Sequence, residues 1–374
     1  MNSNALPNSN KPSNKPLCKR TYEQNLKSEL ADEVNKKYDE GISKGEDVGF
    51  KCLQDKYSVK LGCTTYVYGS PVSGKSEFWF EVLINLSRSK NMVHAIYSPE
   101  TGNPSDIAIE LMHKWVGKPF YTNLDRQQKV NRLTKQEVYR LTAELDQYFV
   151  IIDAGEYDFT IEQFYNKVDE IETELGMRIH TTMADPFNEF KHDLQGEARD
   201  MYVEAVLGRV RRNARNTQRH NCILTHVQDQ QLQQTTGANG ETIFYYPMPT
   251  PRQIAYGQAW FRKGDAMIAL WRPAKGMPDV ENNRIYDGNE VIVAVQKAKP
   301  KGIGAVGLTR LWFDVDKSCY YEMHNTFDTM FKSYAFEQYE RDKTMDQERE
   351  RLLNSKVTQS ELKPSTQFDS PPPF

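Results

Sequence analysis

The chain has 374 residues, of which 38% are hydrophobic and 26% are charged, and these proportions are ordinary for a globular protein. No stretch approaches the roughly 20 consecutive apolar residues of a membrane-spanning helix, so we expect no membrane partner. The net charge is −3, so any nucleic-acid binding has to come from a local basic surface. The five cysteines are scattered and form no CxxC pair, which favours free thiols in a reducing compartment and argues against a zinc site.

The two ends of the chain differ in composition from its centre. Residues 1–20 are rich in Asn, Ser, Pro and Lys, contain no apolar segment typical of a secretion signal, and predict a disordered tail. Residues 21–47 carry mixed charges and predict a linker helix, which is either solvated or docked on a neighbouring subunit. We expect residues 48–330 to form one folded domain. Residues 331–374 predict a polar C-terminal tail.

Between residues 48 and 330, short β-rich runs alternate with longer helical stretches. Strands are predicted over Thr64–Tyr68, Val93–Tyr97, Phe149–Ile152, Arg178–Ala184, Cys222–Thr225, Ala266–Leu270, Val291–Val295 and Leu311–Phe313. Helices are predicted over Lys75–Lys90, Pro104–Val116, Lys135–Gln147, Ile161–Leu175 and Glu197–Thr217. This alternation predicts an α/β fold in which helices flank a mainly parallel central sheet. The later strands have little helix between them, which predicts an antiparallel extension of that sheet.

A glycine-rich loop separates the first of these strands from the first helix. It consists of Gly69, Ser70, Pro71, Val72, Ser73, Gly74, Lys75 and Ser76, and it matches the Walker A pattern in full. The backbone N–H groups of such a loop surround phosphate oxygens, and the helix that follows directs the positive end of its dipole at them. Lys75 is expected to reach the β- and γ-phosphates, and the Ser76 hydroxyl to ligate Mg²⁺. The loop therefore predicts a site for ATP and Mg²⁺.

A site of this kind also needs a strand-end carboxylate near Mg²⁺ and a group that activates the attacking water. Three acids follow predicted strands, namely Glu100, Asp153 and Asp185. Asp153 comes after the strongly apolar run Tyr148–Ile152, whereas Asp185 comes after the less apolar Ile179–Ala184. Composition alone therefore favours Asp153 as the acid that helps to hold Mg²⁺.

Four motifs follow one another along the chain. They are the Walker A loop, Tyr97-Ser98-Pro99-Glu100, Ala184-Asp185-Pro186-Phe187-Asn188-Glu189-Phe190 and Ile223-Leu224-Thr225-His226. This ordered set resembles the DnaB-like hexameric replicative helicases, above all the primase-helicases of bacteriophages and the mitochondrial Twinkle helicases. The resemblance continues through Ile254–Gln258, Lys263–Asp265 and Val295–Lys299, so that it covers about residues 45–325. It implies a RecA-like P-loop ATPase core.

The resemblance also implies roles for individual residues. Glu100 corresponds to the catalytic base, Asp185 to the Walker B acid near Mg²⁺, and His226 to the sensor of the γ-phosphate. The resemblance therefore favours Asp185 over Asp153, which composition alone favours as the acid near Mg²⁺. Asp153 stays open as an alternative. Structural alternatives are a helix N-terminal acid for Glu100 and a hydrogen-bonded core histidine for His226.

A departure from the family concerns the cations that complete the ATP site of a neighbouring subunit. The family typically has Lys-x-Arg on the penultimate strand, and the corresponding residues here are Lys297 and Lys299. A lysine supplies charge but not the planar fork of an arginine. Three interpretations are open: Lys299 does the job less well, Arg310 or another arginine replaces it, or the protein turns over slowly and does not unwind processively.

The resemblance further implies single-stranded DNA as a partner, held in the channel of a homo-oligomeric ring that we expect to be a hexamer. Residues 187–200 and 228–252 correspond to the channel loops. The second loop is rich in glutamine and contains Phe244, Tyr245 and Tyr246, which either stack on bases or pack against the domain. The C-terminal tip, residues 369–374, resembles acidic, Phe-ending tips that recruit replisome proteins.

The leading hypothesis is therefore an ATP-dependent replicative DNA helicase motor. We expect it to be encoded by a bacteriophage, to work in the cytoplasm of the bacterial host, and to lack a fused primase. Two alternatives remain: a recombinase-like accessory ATPase that binds single-stranded DNA without unwinding, and a P-loop module with weak turnover.

Overall fold

The computed structural model describes residues 31–121, 132–153, 159–194, 198–228, 230–323 and 330–332, with the isolated positions 155, 196, 341, 344 and 345. The predictions for residues 1–20 and for the C-terminal tip lie outside these residues. The chain divides into two compact units, residues 1–44 and residues 45–374. In the first unit, helix α1 (Ala31–Glu40) lies within the predicted linker helix.

The second unit consists of strands and helices in alternation. Its helices are α2 (Lys75–Lys90), α3 (Pro104–Val116), α4 (Lys135–Leu145), α5 (Ile161–Leu175), α6 (Arg199–Thr217) and α7 (Gly257–Lys263). Its first strands are β1 (Glu46–Asp47), β2 (Ser58–Val59), β3 (Thr64–Gly69), β4 (His94–Tyr97), β5 (Phe149–Ile151), β6 (Thr181–Ala184), β7 (His220–His226), β8 (Gln233–Thr236) and β9 (Thr242–Tyr245). Then come β10 (Ala266–Trp271), β11 (Pro278–Asp279), β12 (Arg284–Ile285), β13 (Glu290–Ala298), β14 (Gly307–Asp314), β15 (Cys319–Met323) and β16 (Met330–Lys332). Every predicted strand and helix is present; three helices have the predicted bounds, and the other elements have ends shifted by a few residues.

One large sheet organises this unit, with its described strands in the order β16-β15-β14-β13-β10-β3-β7-β6-β4-β5. The strands from β10 to β5 in this order are parallel to one another. Strands β13 to β16 continue the sheet in antiparallel pairs beyond β10. The predicted mainly parallel sheet with an antiparallel extension is therefore confirmed.

Two apolar cores lie on opposite faces of this sheet, because successive side chains of a strand point to opposite sides. Val67 of β3 belongs to the core that α2, α3 and α4 cover. Its neighbours Tyr66 and Tyr68 belong to the core that α5, α6 and α7 cover. Helices therefore cover both faces, as the alternation of elements predicts.

Local signals fix where several helices begin. Among the described α-helices, three begin with a capping box, formed by Asn103 and Asp106, Thr134 and Glu137, and Thr160 and Gln163. In each box the N-cap side chain accepts a backbone N–H bond, and the residue three positions later accepts one in return. Such a cap stabilises a helix by about 1 kcal/mol.

The parallel strands bring one set of strand ends together. Ligands of open α/β sheets bind at the carboxyl ends of the strands. The residues that follow β3, β4, β6 and β7 all emerge at this edge of the sheet. This arrangement places the glycine-rich loop, Glu100, Asp185 and His226 side by side.

Candidate active site

The glycine-rich loop has backbone conformations that its sequence explains in part. A Cβ on Gly69 would lie 2.6 Å from the carbonyl oxygen of Leu270, so only glycine fits where β3 ends. Gly74, which caps helix α2, has a φ of 88°, in the left-handed region that glycine tolerates. Val72 has a φ of 62° and is exposed. A β-branched residue in that region is strained by about 1–3 kcal/mol, and such strain clusters at functional sites.

A cavity of about 420 Å³ opens beside this loop. Its lining includes residues 72–77 together with Glu100 and Thr101. It also includes Val291, Phe313 and Tyr320 from the antiparallel strands β13, β14 and β15, and Arg272, which follows β10. The cavity therefore combines a phosphate-binding loop with an apolar and aromatic wall, as a nucleotide requires.

Asp185 lies next to the loop, buried at the end of β6. Its Oδ2 atom accepts hydrogen bonds from the hydroxyl groups of Ser76, at 2.5 Å, and Ser98, at 3.1 Å. Its Oδ1 atom is buried and has no hydrogen-bond partner among the described residues. Burial raises the pKa of the Asp185 carboxyl, and the negative charge of Glu100 adds to this, whereas the bonds from Ser76 and Ser98 and the charge of Lys75 lower it.

These groups fit a magnesium ion. Mg²⁺ is usually held by one or two carboxylates together with substrate phosphates and waters, and not by a cage of protein ligands. In the described part of the chain, no three His, Cys, Asp or Glu side chains group as metal ligands would. Asp185, with one oxygen lacking a partner, and the Ser76 hydroxyl beside it provide the kind of partial ligand set that Mg²⁺ uses on a nucleotide.

A second chain of contacts beside the glycine-rich loop joins Lys75, His226 and Glu100. Lys75 Nζ donates to the carbonyl oxygen of Ser70 and lies 3.2 Å from His226 Nδ1. His226 Nε2 lies 2.9 Å from Glu100 Oε2. An ammonium group can only donate, so His226 accepts at Nδ1 and carries its proton on Nε2, which donates to Glu100. Burial lowers the pKa of Lys75, while the charges of Asp185 and Glu100 oppose that shift.

Asp153 lies at the lateral edge of the sheet, away from β3. It follows β5, which is the edge strand and is separated from β3 by β7, β6 and β4. Its Oδ1 atom accepts a bond from the backbone N–H of Gly155 at 2.8 Å. Asp185 follows β6, with only β7 between β6 and β3, and it contacts Ser76 directly. The strand order thus brings Asp185, and not Asp153, to the glycine-rich loop.

The two lysines proposed to act on a neighbouring site lie at the opposite end of the sheet. Ala298, between them, pairs with Ala266 at the start of β10. Because β10 is parallel to β3, this end of β10 is remote from the loop that follows β3. Lys297 donates to the carbonyl oxygen of Phe261 and lies over its ring, 5.0 Å from the centroid. Burial lowers its pKa, with Arg211 as a second cause.

Arg310 occupies a different environment from the lysines. Its Nη1 atom lies 3.7 Å from Asp279 Oδ2, and the side chain is largely buried. It lines a second cavity, of about 770 Å³, with Trp271 and Ile292. These three residues are neighbours across β10, β13 and β14, so they share one face of the sheet. The glycine-rich loop and Glu100 line the smaller cavity, and Asp185 contacts its lining residue Ser76, so the smaller cavity is the candidate active site.

The two predicted channel loops have different structures. In the first, Phe187–Glu189 forms a 3₁₀ turn, and the His192 ring packs against Phe187 and Tyr202. The second contains the antiparallel hairpin β8–β9, where the sequence predicts only a long loop. Phe244 is 58% exposed and Tyr246 is 47% exposed, so these aromatic side chains do not pack fully against the domain.

Several residues of the site are missing from the sequence-based assignment. Ser98 lies within the motif Tyr97-Ser98-Pro99-Glu100, and its bond to Asp185 follows from its position directly after β4. Tyr320 donates to the carbonyl oxygen of Gly74 at 3.3 Å, and Arg272 lines the cavity. Neither Tyr320 nor Arg272 has a local signal, because only the pairing of β10, β13, β14 and β15 brings them to the loop.

The chain is similar to known proteins in sequence and in fold. Among the described helices, none combines the length and the apolar composition needed to cross a lipid bilayer. No model of a known protein family matches the chain. The chain is 30% identical over 298 residues to the Twinkle homolog protein, chloroplastic/mitochondrial, of Arabidopsis thaliana. That match covers 76% of this chain but only 37% of the length of the relative.

Two solved structures share the fold. One is a separate ATPase domain, which superposes with a TM-score of 0.58 at 16% identity, and the match covers 79% of this chain and 98% of that one. A DnaB-like replicative helicase, solved to study its interactions with primase, gives a TM-score of 0.58 at 16% identity, with 78% and 65% covered. The chain is thus similar in sequence to a Twinkle homologue, and its fold is the RecA-like fold of the ATPase domains of DnaB-like helicases.

Proposed function

We propose that this chain is the ATP-hydrolysing motor of a replicative DNA helicase that moves along single-stranded DNA as a ring. The observation that carries the proposal is the convergence of Lys75, Ser76, Asp185, Glu100 and His226 at one edge of the sheet. A lysine, a hydroxyl, a buried carboxylate, a more exposed carboxylate and a histidine are the groups that phosphoryl transfer to water needs.

Each group has a separate task in the proposed reaction. The loop N–H groups and Lys75 hold the phosphates, and Ser76 with Asp185 would hold Mg²⁺. When bound, Mg²⁺ neutralises charge on the β- and γ-phosphates. Glu100 is 47% exposed and accepts from His226, so it can reach a water molecule in the cavity and take its proton. His226 contacts both Lys75 and Glu100, so it can sense whether a γ-phosphate is present.

The proposed ring supplies what a single subunit lacks. Lys297 and Lys299 lie at the end of the sheet opposite the glycine-rich loop, so they suit the site of a neighbouring subunit rather than their own. We propose six subunits, with hairpin β8–β9 facing the channel and the exposed Phe244 and Tyr246 contacting bases. We also propose that the protein works in the bacterial cytoplasm during phage replication and contacts replisome proteins through residues 369–374.

A direct test measures ATP hydrolysis by the purified chain with Mg²⁺, with and without oligothymidylate, beside the variant Lys75→Ala. We expect strong stimulation by the DNA in the wild type and loss of turnover in the variant, because Lys75 contacts the transferring phosphoryl group. An absence of turnover in the wild type with or without DNA, despite ATP binding, would contradict the proposal.

The requirement for a neighbour's lysine makes a separate prediction. Lys299→Ala is expected to lower DNA-stimulated hydrolysis at least tenfold, since cations supplied by a second subunit contribute up to about 10³–10⁵ in such enzymes. Mixing Lys299→Ala with Lys75→Ala subunits should restore part of the activity, because some interfaces then combine an intact Lys75 with an intact Lys299. Steady-state hydrolysis across a series of mixing ratios measures this recovery.

Lys90→Ala is the matched control for Lys299→Ala. Lys90 pairs with Glu46 at 2.9 Å, and both side chains are partly exposed, so the pair contributes little to stability. The control should keep wild-type hydrolysis. If ATP hydrolysis in the mixtures never exceeds the sum of the rates that the two variants show alone, then Lys299 does not act on a neighbouring site.

A second candidate function is an accessory ATPase that binds single-stranded DNA without unwinding it. The observation in its favour is the pair Lys297 and Lys299, in which neither residue offers the planar donor geometry of arginine. Strand-displacement assays on a forked duplex separate the two functions. DNA-stimulated hydrolysis without displacement would favour this second candidate.

A further inference from the structure

Residues 246–249, which follow β9, are held by side chains from three different parts of the chain. The carbonyl oxygens of Tyr246, Pro247 and Pro249 accept hydrogen bonds from Trp271 Nε1 at 2.7 Å, Gln230 Nε2 at 3.0 Å and Gln296 Nε2 at 2.8 Å, in that order. We call residues 246–249 the return segment, because they lead from hairpin β8–β9 back to the domain.

Two of these three contacts continue to the glycine-rich loop or to β3, the strand directly before it. The Ser70 hydroxyl, in the glycine-rich loop, donates to the side-chain oxygen of Gln230. The Tyr68 hydroxyl, in β3, donates to the side-chain oxygen of Gln296 at 2.7 Å. Each glutamine thus donates its amide N–H to the return segment and accepts with its amide oxygen. Gln230 accepts from the glycine-rich loop, and Gln296 accepts from β3, the strand that leads into this loop.

The position of Gln296 in its strand explains how its side chain reaches both partners. Met267 of β10 pairs with Lys297, but the next residue, Ile268, pairs with Val295. Gln296 is therefore the extra residue of a β-bulge, and bulges redirect side chains away from the regular alternation.

The return segment is suited to transmitting a displacement. Pro247 and Pro249 have fixed φ angles and no N–H groups, and the residue before each proline is restricted to extended conformations. The segment therefore resists bending between its three attachment points. A movement of Ser70 or Tyr68 would shift the base of the hairpin instead of being absorbed within the segment.

We propose that Gln230 and Gln296 are positioning residues that couple the nucleotide state of the glycine-rich loop to the β8–β9 hairpin. The inference rests on the proposed function, because it takes the hairpin to be the element that contacts single-stranded DNA. Ser70 belongs to the loop that surrounds the phosphates, so binding of ATP changes its surroundings. Gln230 passes that change to the carbonyl of Pro247, and Gln296 holds the far end of the return segment.

The test measures binding of fluorescein-labelled oligothymidylate to the full chain, with and without a non-hydrolysable ATP analogue. Coupling between two sites typically changes affinity by about 5- to 150-fold, and it is reciprocal. We expect the analogue to change the DNA affinity of the wild type within this range. In Gln230→Ala the change should fall below about threefold, while each ligand still binds alone.

A double-mutant cycle separates a coupling role from a merely structural one. If Gln230 acts through Ser70, then Ser70→Ala should lose the same coupling, and the double variant should lose no more than either single variant. Gln147→Ala, near the opposite edge strand, is the matched control and should keep wild-type coupling. Thermal unfolding of each variant checks that the fold is intact.

The outcomes distinguish failure of this inference from failure of the proposed function. If the wild type binds oligothymidylate but Gln230→Ala keeps full coupling, the inference is wrong and the proposed function stands. Additive losses from Ser70→Ala and Gln230→Ala would also overturn it. If the wild type binds no oligothymidylate in any nucleotide state, then the proposed function itself fails.

Discussion

Replacing Glu100 with glutamine is expected to lower kcat for ATP hydrolysis by about 100- to 10,000-fold, the usual contribution of a general base. Glutamine has nearly the same shape, and its oxygen can still accept the bond that His226 Nε2 donates to Glu100 at 2.9 Å. The amide cannot take a proton from water, however. ATP binding should therefore persist while turnover is lost, and both can be measured with a fluorescent nucleotide and a phosphate-release assay.

Glu170→Gln is the matched control for this prediction. Glu170 is exposed on α5, where it pairs with Lys167 at 3.2 Å, and it lies outside the candidate site. The control should hydrolyse ATP at the wild-type rate. Full turnover in Glu100→Gln would rule out Glu100 as the base. Loss of ATP binding in that variant would instead indicate that Glu100 helps to shape the cavity, as a helix N-terminal acid can.

The strands and helices of the parallel sheet could be predicted because their signals are local. Helix α2 has the predicted bounds, since the glycine-rich loop marks its start and a left-handed Asn91 marks its end. Strand order is not local, however, because it depends on which strands pair across the whole domain. For that reason composition favours Asp153, whereas the position of β6 between β7 and β4 brings Asp185 to Ser76.

The hairpin β8–β9 is absent from the predicted elements because its strands lack the apolar alternation by which strands are recognised. Gln233–Thr236 is polar throughout and largely exposed. One signal was available: the dipeptide Asn239-Gly240 lies between the two strands, and Asn-Gly is a strong marker of tight turns in hairpins. The glutamine links of the return segment have no such marker, because each joins residues more than a dozen positions apart.

Variants of Asp185 and Asp153 test which of these two acids helps to hold Mg²⁺. Asp185→Asn is expected to lower ATP hydrolysis by at least about 100-fold, because a bound metal supplies several kcal/mol of transition-state stabilisation and about 1.4 kcal/mol corresponds to a factor of ten. Asp153→Asn, at the edge strand, should leave hydrolysis unchanged. When the rate is measured as a function of Mg²⁺ concentration, Asp185→Asn should need a higher concentration than the wild type to reach half of its own maximal rate.

A loss of folding would not explain a loss of activity in Asp185→Asn. Burial raises the pKa of Asp185 in the folded chain, so the ionised carboxylate costs stability, and this cost is complete above the folded-state pKa. Asparagine removes the buried charge and keeps an oxygen that can accept from Ser76. The variant should therefore unfold at a temperature equal to or above that of the wild type. If Asp153→Asn lost activity while Asp185→Asn kept it, the assignment from strand order would be reversed.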